Sequence, residues 1–176
     1  MISDKEFLKS ELEMGIDPFN PNFISLCNAT ANAIENEIQF TSVLDYGAGV
    51  GAYADAFYKK GYEVSCYEYF EAHREYIAEK LPHLKVIPKP ITTDLMLFIE
   101  VAEHMTDKQL TALFKKIKPK HILFSSTPNT TDWDKDWGHI NIKTHEEWNT
   151  TFDKLGYEFI KDLTLPTTWS KLYKLR

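Results

Sequence analysis

Apolar residues along this chain keep two rhythms in alternation. Short apolar-rich runs at 42–46, 63–67, 85–87, 94–99 and 121–126 predict five strands; 94–99 is almost wholly apolar, as expected of a central parallel strand covered on both faces. Between them, helical spacing predicts helices over 52–60, 71–81 and 107–118, the last with Leu110, Leu113, Phe114 and Ile117 in one stripe and Thr106 as its cap. Two helices precede the first strand, over 3–13 with Ser3 as cap and over 22–37, joined by the turn Asp17-Pro18-Phe19-Asn20-Pro21. After the fifth strand a polar loop, 130–142, leads to a helix that Thr144 and Glu147 open as a capping box and Gly156 closes. Two last β segments, 158–165 and 169–175, predict a hairpin at the sheet edge. Alternating strand and helix followed by a β pair predicts a three-layer α/β domain with a mostly parallel sheet and a C-terminal antiparallel pair.

Composition narrows this picture. A chain of 176 residues, 43% hydrophobic, has material for one well-buried core, so a single domain over 1–176 is expected, with N-terminal helices in 1–40 and the α/β core in 41–176. The formal net charge of −6 offers no global basic field for nucleic acid or an anionic membrane. Cys27 and Cys66 are far apart, lack C-x-x-C spacing and read as buried thiols. The acidic N-terminus, with Asp4, Glu6, Glu11 and Glu13, does not resemble a signal peptide, and no run reaches membrane-spanning length, so a cytoplasmic protein is expected. The oligomeric state stays open.

The chemistry concentrates where strands end. The first strand runs through Asp45 into Gly47, Gly49 and Gly51, a turn whose backbone can approach a nucleotide-like ligand and whose following helix aims N–H groups at the same place. This pattern also fits a dinucleotide fingerprint, so a nicotinamide oxidoreductase is a rival. The second strand delivers Glu68, 19 positions beyond Gly49, the separation at which an acid reaches the ribose of an adenosine ligand. Tyr69 or Phe70 offers a ring for the adenine face or for the core. The fourth strand ends in Glu100-Val101-Ala102-Glu103-His104, with Glu100 and Glu103 or His104 at spacings that share a helix face. The fifth ends in Ser126-Thr127-Pro128-Asn129, and the loop beyond carries Trp133, Trp137 and His139. Asp132, Asp134 and Asp136 there do not make a calcium loop, because Gly138 comes one place late and Lys143 stands where the last acid belongs.

Together these residues resemble class I S-adenosylmethionine-dependent methyltransferases, over roughly residue 41 to the C-terminus. Asp45, Gly47, Gly49 and Gly51 match that family's first motif, and Glu68 its second-strand acid; E-V-x-E-H at 100–104 and S-T-P-N at 126–129 resemble a branch that includes ubiquinone-pathway and small-RNA O-methyltransferases. The resemblance implies a Rossmann-like, doubly wound fold and S-adenosylmethionine as cofactor, with Asp45, the three glycines, Glu68, Tyr69 and Glu100 binding it and His104 and His139 serving catalysis. A methyl group transferred to a hydroxyl of a small polar or sugar-like acceptor is the expected reaction. By the same resemblance Glu100, Glu103, His104 and His139 are a candidate divalent-metal set, and an RNA-terminal 2′-O-methyltransferase or a catalytically silent cofactor-fold binding protein are the alternatives. Pro88-Lys89-Pro90-Ile91-Thr92-Thr93 is too short to supply the family's usual acid and helix near the adenine, and the chain has no inserted cap domain.

Overall fold

The computed structural model describes residues 3–128 and 137–176. Its contacts divide the chain into two compact units, 2–91 and 92–176.

The first unit opens with helix α1, Asp4–Glu13, where Ser3 and Glu6 form a capping box, and helix α2, Pro21–Glu35, where the Asn20 side chain caps and Pro21 supplies a pre-set first turn. Strand β1, Ser42–Tyr46, then alternates with helix α3, Ala52–Lys59, strand β2, Glu63–Tyr67, helix α4, Glu71–Lys80, and the two-residue strand β3, Lys85–Val86. The strands lie in the order β3-β2-β1, all parallel, with Ser42 beside Glu63 and Tyr46 beside Tyr67. Apolar residues from strand and helix make one core, among them Ala31, Ile34, Val43, Leu44, Phe57 and Ile77, each at most 1% exposed. Cys27 and Cys66 are free and buried there, as expected, and burial pushes the Cys27 thiol up to about 12, so it stays protonated and unreactive.

The second unit holds strand β4, Leu95–Ile99, a 3₁₀ turn at Ala102–His104, helix α5, Asp107–Lys116, strand β5, His121–Ser125, helix α6, His145–Lys154, and strands β6, Tyr157–Leu163, and β7, Ser170–Leu175. Its strand order is β4-β5-β7-β6; β4 and β5 run parallel, and the last two strands antiparallel. The hairpin forms as expected, with β7 on β5 and β6 at the edge, where a register shift between Phe159 and Lys161 interrupts the pairing. Phe124 of β5 is gripped by Trp148 and Phe152 of α6 at 5.0 and 4.8 Å between ring centres, and Phe152 stacks on Tyr173 at 4.3 Å. Helix α5 stops two residues before the expected end because Ile117 is already extended ahead of Lys118-Pro119, where proline disfavours helix in the preceding residue.

Each unit brings the candidate residues to the C-terminal ends of its parallel strands. That edge is where open α/β sheets hold ligands.

Candidate cofactor cradle and acid–histidine cluster

In the first unit the chain leaves β1 and turns back on itself through three glycines with three different tasks. The Gly47 N–H donates to the Tyr67 carbonyl at 2.7 Å, fixing the turn to the end of β2. Gly51 caps α3 with a φ of +80°, and an added Cβ would meet Leu81, Ile77 and Leu84 side chains at 3.1–3.3 Å, so this glycine serves close packing as well as backbone shape. Gly49 is different: beyond its chain neighbours, the nearest described atom to an added Cβ is Glu11 Oε1, at 3.8 Å. Its open side therefore has room for a ligand.

Asp45 lies beneath the turn, 4% exposed, and its Oδ2 accepts the Ala54 N–H at 3.1 Å. One of the α3 N–H groups expected to face a ligand is thus taken by the motif's own acid, which fastens helix to turn. Burial raises the Asp45 carboxyl to about 7, opposed by the Ala54 N–H and reinforced by the Glu68 charge. Glu68 follows the end of β2 and turns back onto the glycine turn. Its Oε2 accepts the Gly49 N–H at 2.8 Å and its Oε1 the Phe70 N–H at 2.9 Å, so the carboxylate is held rigidly while spare lone pairs remain for hydroxyl donors. Burial raises its pKa, and those N–H groups and the neighbouring His73 pull it back. Arg74 Nη1 donates to the Glu68 and Tyr69 carbonyls at 3.2 and 2.5 Å, locking the backbone that carries the acid. The Tyr69 ring is 77% exposed and meets Phe70 edge-on at 5.6 Å, so it is not core. An open glycine turn beside an anchored carboxylate and an exposed ring fits the adenosyl cofactor that the sequence motif implies.

In the second unit Glu100 does not share a helix face with Glu103 and His104, as its spacing suggests. It takes a left-handed φ of 53° before the 3₁₀ turn begins. Its Oε1 accepts the Ser125 hydroxyl and the Trp169 indole N–H, the latter at 2.9 Å, and its Oε2 accepts the Thr127 N–H at 3.0 Å. Glu100 thereby ties the ends of β4 and β5 to the segment entering β7. Among the described residues it stands outside the potential ligands that converge, Glu103, His104 and His139, each offering an atom within 4.8 Å of the others.

That convergence has a local cause. The loop after residue 136 is stitched to the 3₁₀ turn, with Ile140 and Asn141 N–H groups donating to the Glu103 carbonyl at 2.8 and 2.9 Å and the Asn141 side chain donating to the Met105 carbonyl at 2.7 Å. Lys143 anchors the next step by an ion pair with Asp107 and by lying over the Trp148 ring at 4.7 Å. The stitching brings the His139 ring edge-on to His104, 4.6 Å between centres. Glu103 is 0% exposed, and neither carboxylate oxygen has a hydrogen-bond partner among the described residues, nor has the Ser126 hydroxyl. Burial, then the Glu100 charge, raises Glu103 to about 9, while burial and the His139 ring lower His104 to about 4. A buried carboxyl beside two imidazoles has the chemistry of an oxygen–nitrogen ligand set for magnesium, manganese or zinc. Asn129, Trp133 and the three aspartates at 132, 134 and 136 lie outside the described residues, while Trp137, half-buried, begins the stitched loop.

The Glu11–His73 pair, the Arg74 grip and the Ser125–Glu100–Trp169 link escaped sequence reasoning. Their partners stand 62, 6 or 5, and 25 or 69 positions apart, and no local pattern announces them.

A family model described as a methyltransferase domain matches residues 21–166. No curated protein sequence matches the chain. Among solved structures, the methyltransferase domain of bacterial CtHen1-C is similar at 17% identity over 85% of this chain and 97% of that one, with a TM-score of 0.63. A SAM-dependent methyltransferase from Archaeoglobus fulgidus is 18% identical over 81% of this chain and 75% of its own, TM-score 0.59. Magnesium protoporphyrin IX methyltransferase from Synechocystis PCC 6803, solved with bound SAH, is 15% identical over 88% and 83%, TM-score 0.59. Glycine turn, anchored Glu68, strand arrangement and family match agree: the chain belongs to the methyltransferase-domain family, among the class I S-adenosylmethionine-dependent enzymes.

Proposed function

We propose that this enzyme methylates a hydroxyl oxygen of a small polar or sugar-like acceptor. The observation that carries the reading is the pairing of the His104 and His139 imidazoles, 4.6 Å between ring centres, beside buried Glu103. S-adenosylmethionine, when bound, supplies a methyl group on a good sulfonium leaving group. Glu68, held by the Gly49 N–H, would accept the ribose hydroxyls, and the Gly49 turn would let the backbone lie against the ligand. An imidazole of His104 or His139 would take the proton that the acceptor hydroxyl gives up on methylation. Most of the remaining work is alignment, which a rigid scaffold supplies. The net charge of −6 favours a small acceptor over a polyanion.

A second reading, a divalent-ion-assisted 2′-O-methyltransferase acting at an RNA end, draws on the unpartnered Glu103 carboxyl and on fold similarity to a structure described as small RNA methyltransferase HEN1. In that case Glu103, His104 and His139 would hold the ion, whose charge would supply Lewis-acid stabilisation of a deprotonated acceptor hydroxyl. The catalytically silent alternative is disfavoured by the open glycine turn and the anchored Glu68.

The test is transfer of label from methyl-tritiated S-adenosylmethionine to a panel of small diols and polyols and to a synthetic RNA with a free 3′-terminal diol. Each is run in a chelator and again with added magnesium or manganese. Label in a small diol is expected. Label only on RNA, lost in chelator and restored by the ion, overturns the small-acceptor reading in favour of the second.

A further inference from the structure

The cradle described above has one acid that the motif does not account for. Helix α1 buries none of its residues, so core packing does not explain where it lies. Three side chains hold it against α4 instead. Asp4 accepts the Ala72 N–H at 3.3 Å, Phe7 meets the Phe70 and His73 rings at 5.4 and 5.6 Å, and Glu11 Oε2 lies 2.6 Å from His73 Nε2. His73 is 1% exposed and its Nδ1 has no partner among the described residues, so Nε2 is the nitrogen that bonds Glu11. One Glu11 oxygen is thereby fixed, and the other, Oε1, is the atom 3.8 Å from the vacant Cβ position of Gly49. The N–H of that same glycine carries Glu68 Oε2.

We propose that Glu11 is a cofactor-contacting residue, the second carboxylate of the cradle, with His73 as the positioning residue that aims it. Two carboxylates approaching one glycine disfavour an anionic group such as a pyrophosphate and favour a ligand that brings hydrogen-bond donors or positive charge. An adenosyl amino-acid cofactor brings both, as ribose hydroxyls and as an ammonium group. Helix α1 is then part of the binding site, delivering its acid from 38 positions upstream of Gly49.

The inference rests on the cofactor assignment, and calorimetry separates the two. Wild type, Glu11→Gln, Glu11→Ala and His73→Gln are titrated with S-adenosylhomocysteine and with 5′-methylthioadenosine, which keeps the ribose and lacks the amino-acid group. Glu11→Gln and Glu11→Ala are expected to bind S-adenosylhomocysteine about tenfold more weakly, the size of one lost charge-assisted hydrogen bond. His73→Gln should fall between them and wild type. An equal loss for both ligands identifies the ribose as donor, and a loss confined to S-adenosylhomocysteine identifies the ammonium; either supports the contact. Glu11→Gln, isosteric and on a surface helix, decides the matter if the alanine variant misfolds. Wild-type affinity of Glu11→Gln for both ligands would overturn the role of Glu11 alone. A wild-type protein that binds neither ligand would overturn the cofactor assignment and this inference with it.

Discussion

At the scale of single residues, two buried acids at the end of β1 and β2 do opposite kinds of work. Glu68 keeps lone pairs for a ligand, so Glu68→Ala should weaken S-adenosylhomocysteine by about 1–3 kcal/mol, the cost of losing hydrogen bonds to a charged group; calorimetric affinity equal to wild type would remove the ribose assignment. Asp45 faces the Ala54 N–H, and its contribution appears in stability instead. Its folded pKa is raised from 3.8 to about 7, so between those values the unfolded chain ionises Asp45 and the folded one does not. Stability from this group is fully present below pH 4 and falls as pH rises towards 7. Asp45→Asn keeps an oxygen for Ala54 and cannot ionise, so its melting temperature relative to wild type should climb from pH 4 to 7 and then level off. A difference that stays flat across that range would contradict the buried-acid assignment.

At the scale of elements, the ends of β4, β5 and β7 are joined through one carboxylate, and the join is open to test. Glu100→Gln places an amide N–H₂ where at least one of the Ser125, Thr127 or Trp169 donors expects an acceptor. A loss of about 1–3 kcal/mol in denaturant unfolding is expected, with Trp169→Phe, which removes one donor and leaves the carboxylate its other two, costing less. An unchanged midpoint for Glu100→Gln would mean the link contributes nothing. The capping boxes at Ser3/Glu6 and Thr144/Glu147, the Gly61 and Gly156 helix ends and the five parallel runs are local signals, written within a few residues, and each forms as read. Glu100 breaks a local rule: an i, i+3 spacing implies a shared face only if the residues are helical, and the left-handed backbone at Glu100 takes it out of the turn that Glu103 and His104 share. Of the four residues that the sequence groups, Glu103, His104 and His139 converge and Glu100 does not, for that reason. Asp45 was legible as a motif member, while its partner Ala54 was not, because the direction of a buried carboxylate depends on the three-dimensional turn.

At the scale of the whole molecule, the composition calls for one domain, yet contacts cluster into units 2–91 and 92–176. The first unit carries Asp45, the glycine turn, Glu68 and Glu11; the second carries Glu100, Glu103, His104 and His139. Ligand linkage separates a single cooperative domain from two independent ones, because a ligand that binds only the folded state stabilises whatever unfolds with its site. S-adenosylhomocysteine at a hundred times its dissociation constant adds ~2.7 kcal/mol, which for a chain of this length raises the melting temperature by roughly 5–11 °C. We expect scanning calorimetry to give one transition that moves as a whole, with van't Hoff and calorimetric enthalpies equal. Ring signals from the second unit's core, such as Trp148 packed on Phe124, should then be lost at the same shifted temperature in near-ultraviolet circular dichroism. Two transitions, of which the ligand moves one while the Trp148 environment melts at its old temperature, would divide the chain into separate folding units and confine cofactor binding to the first.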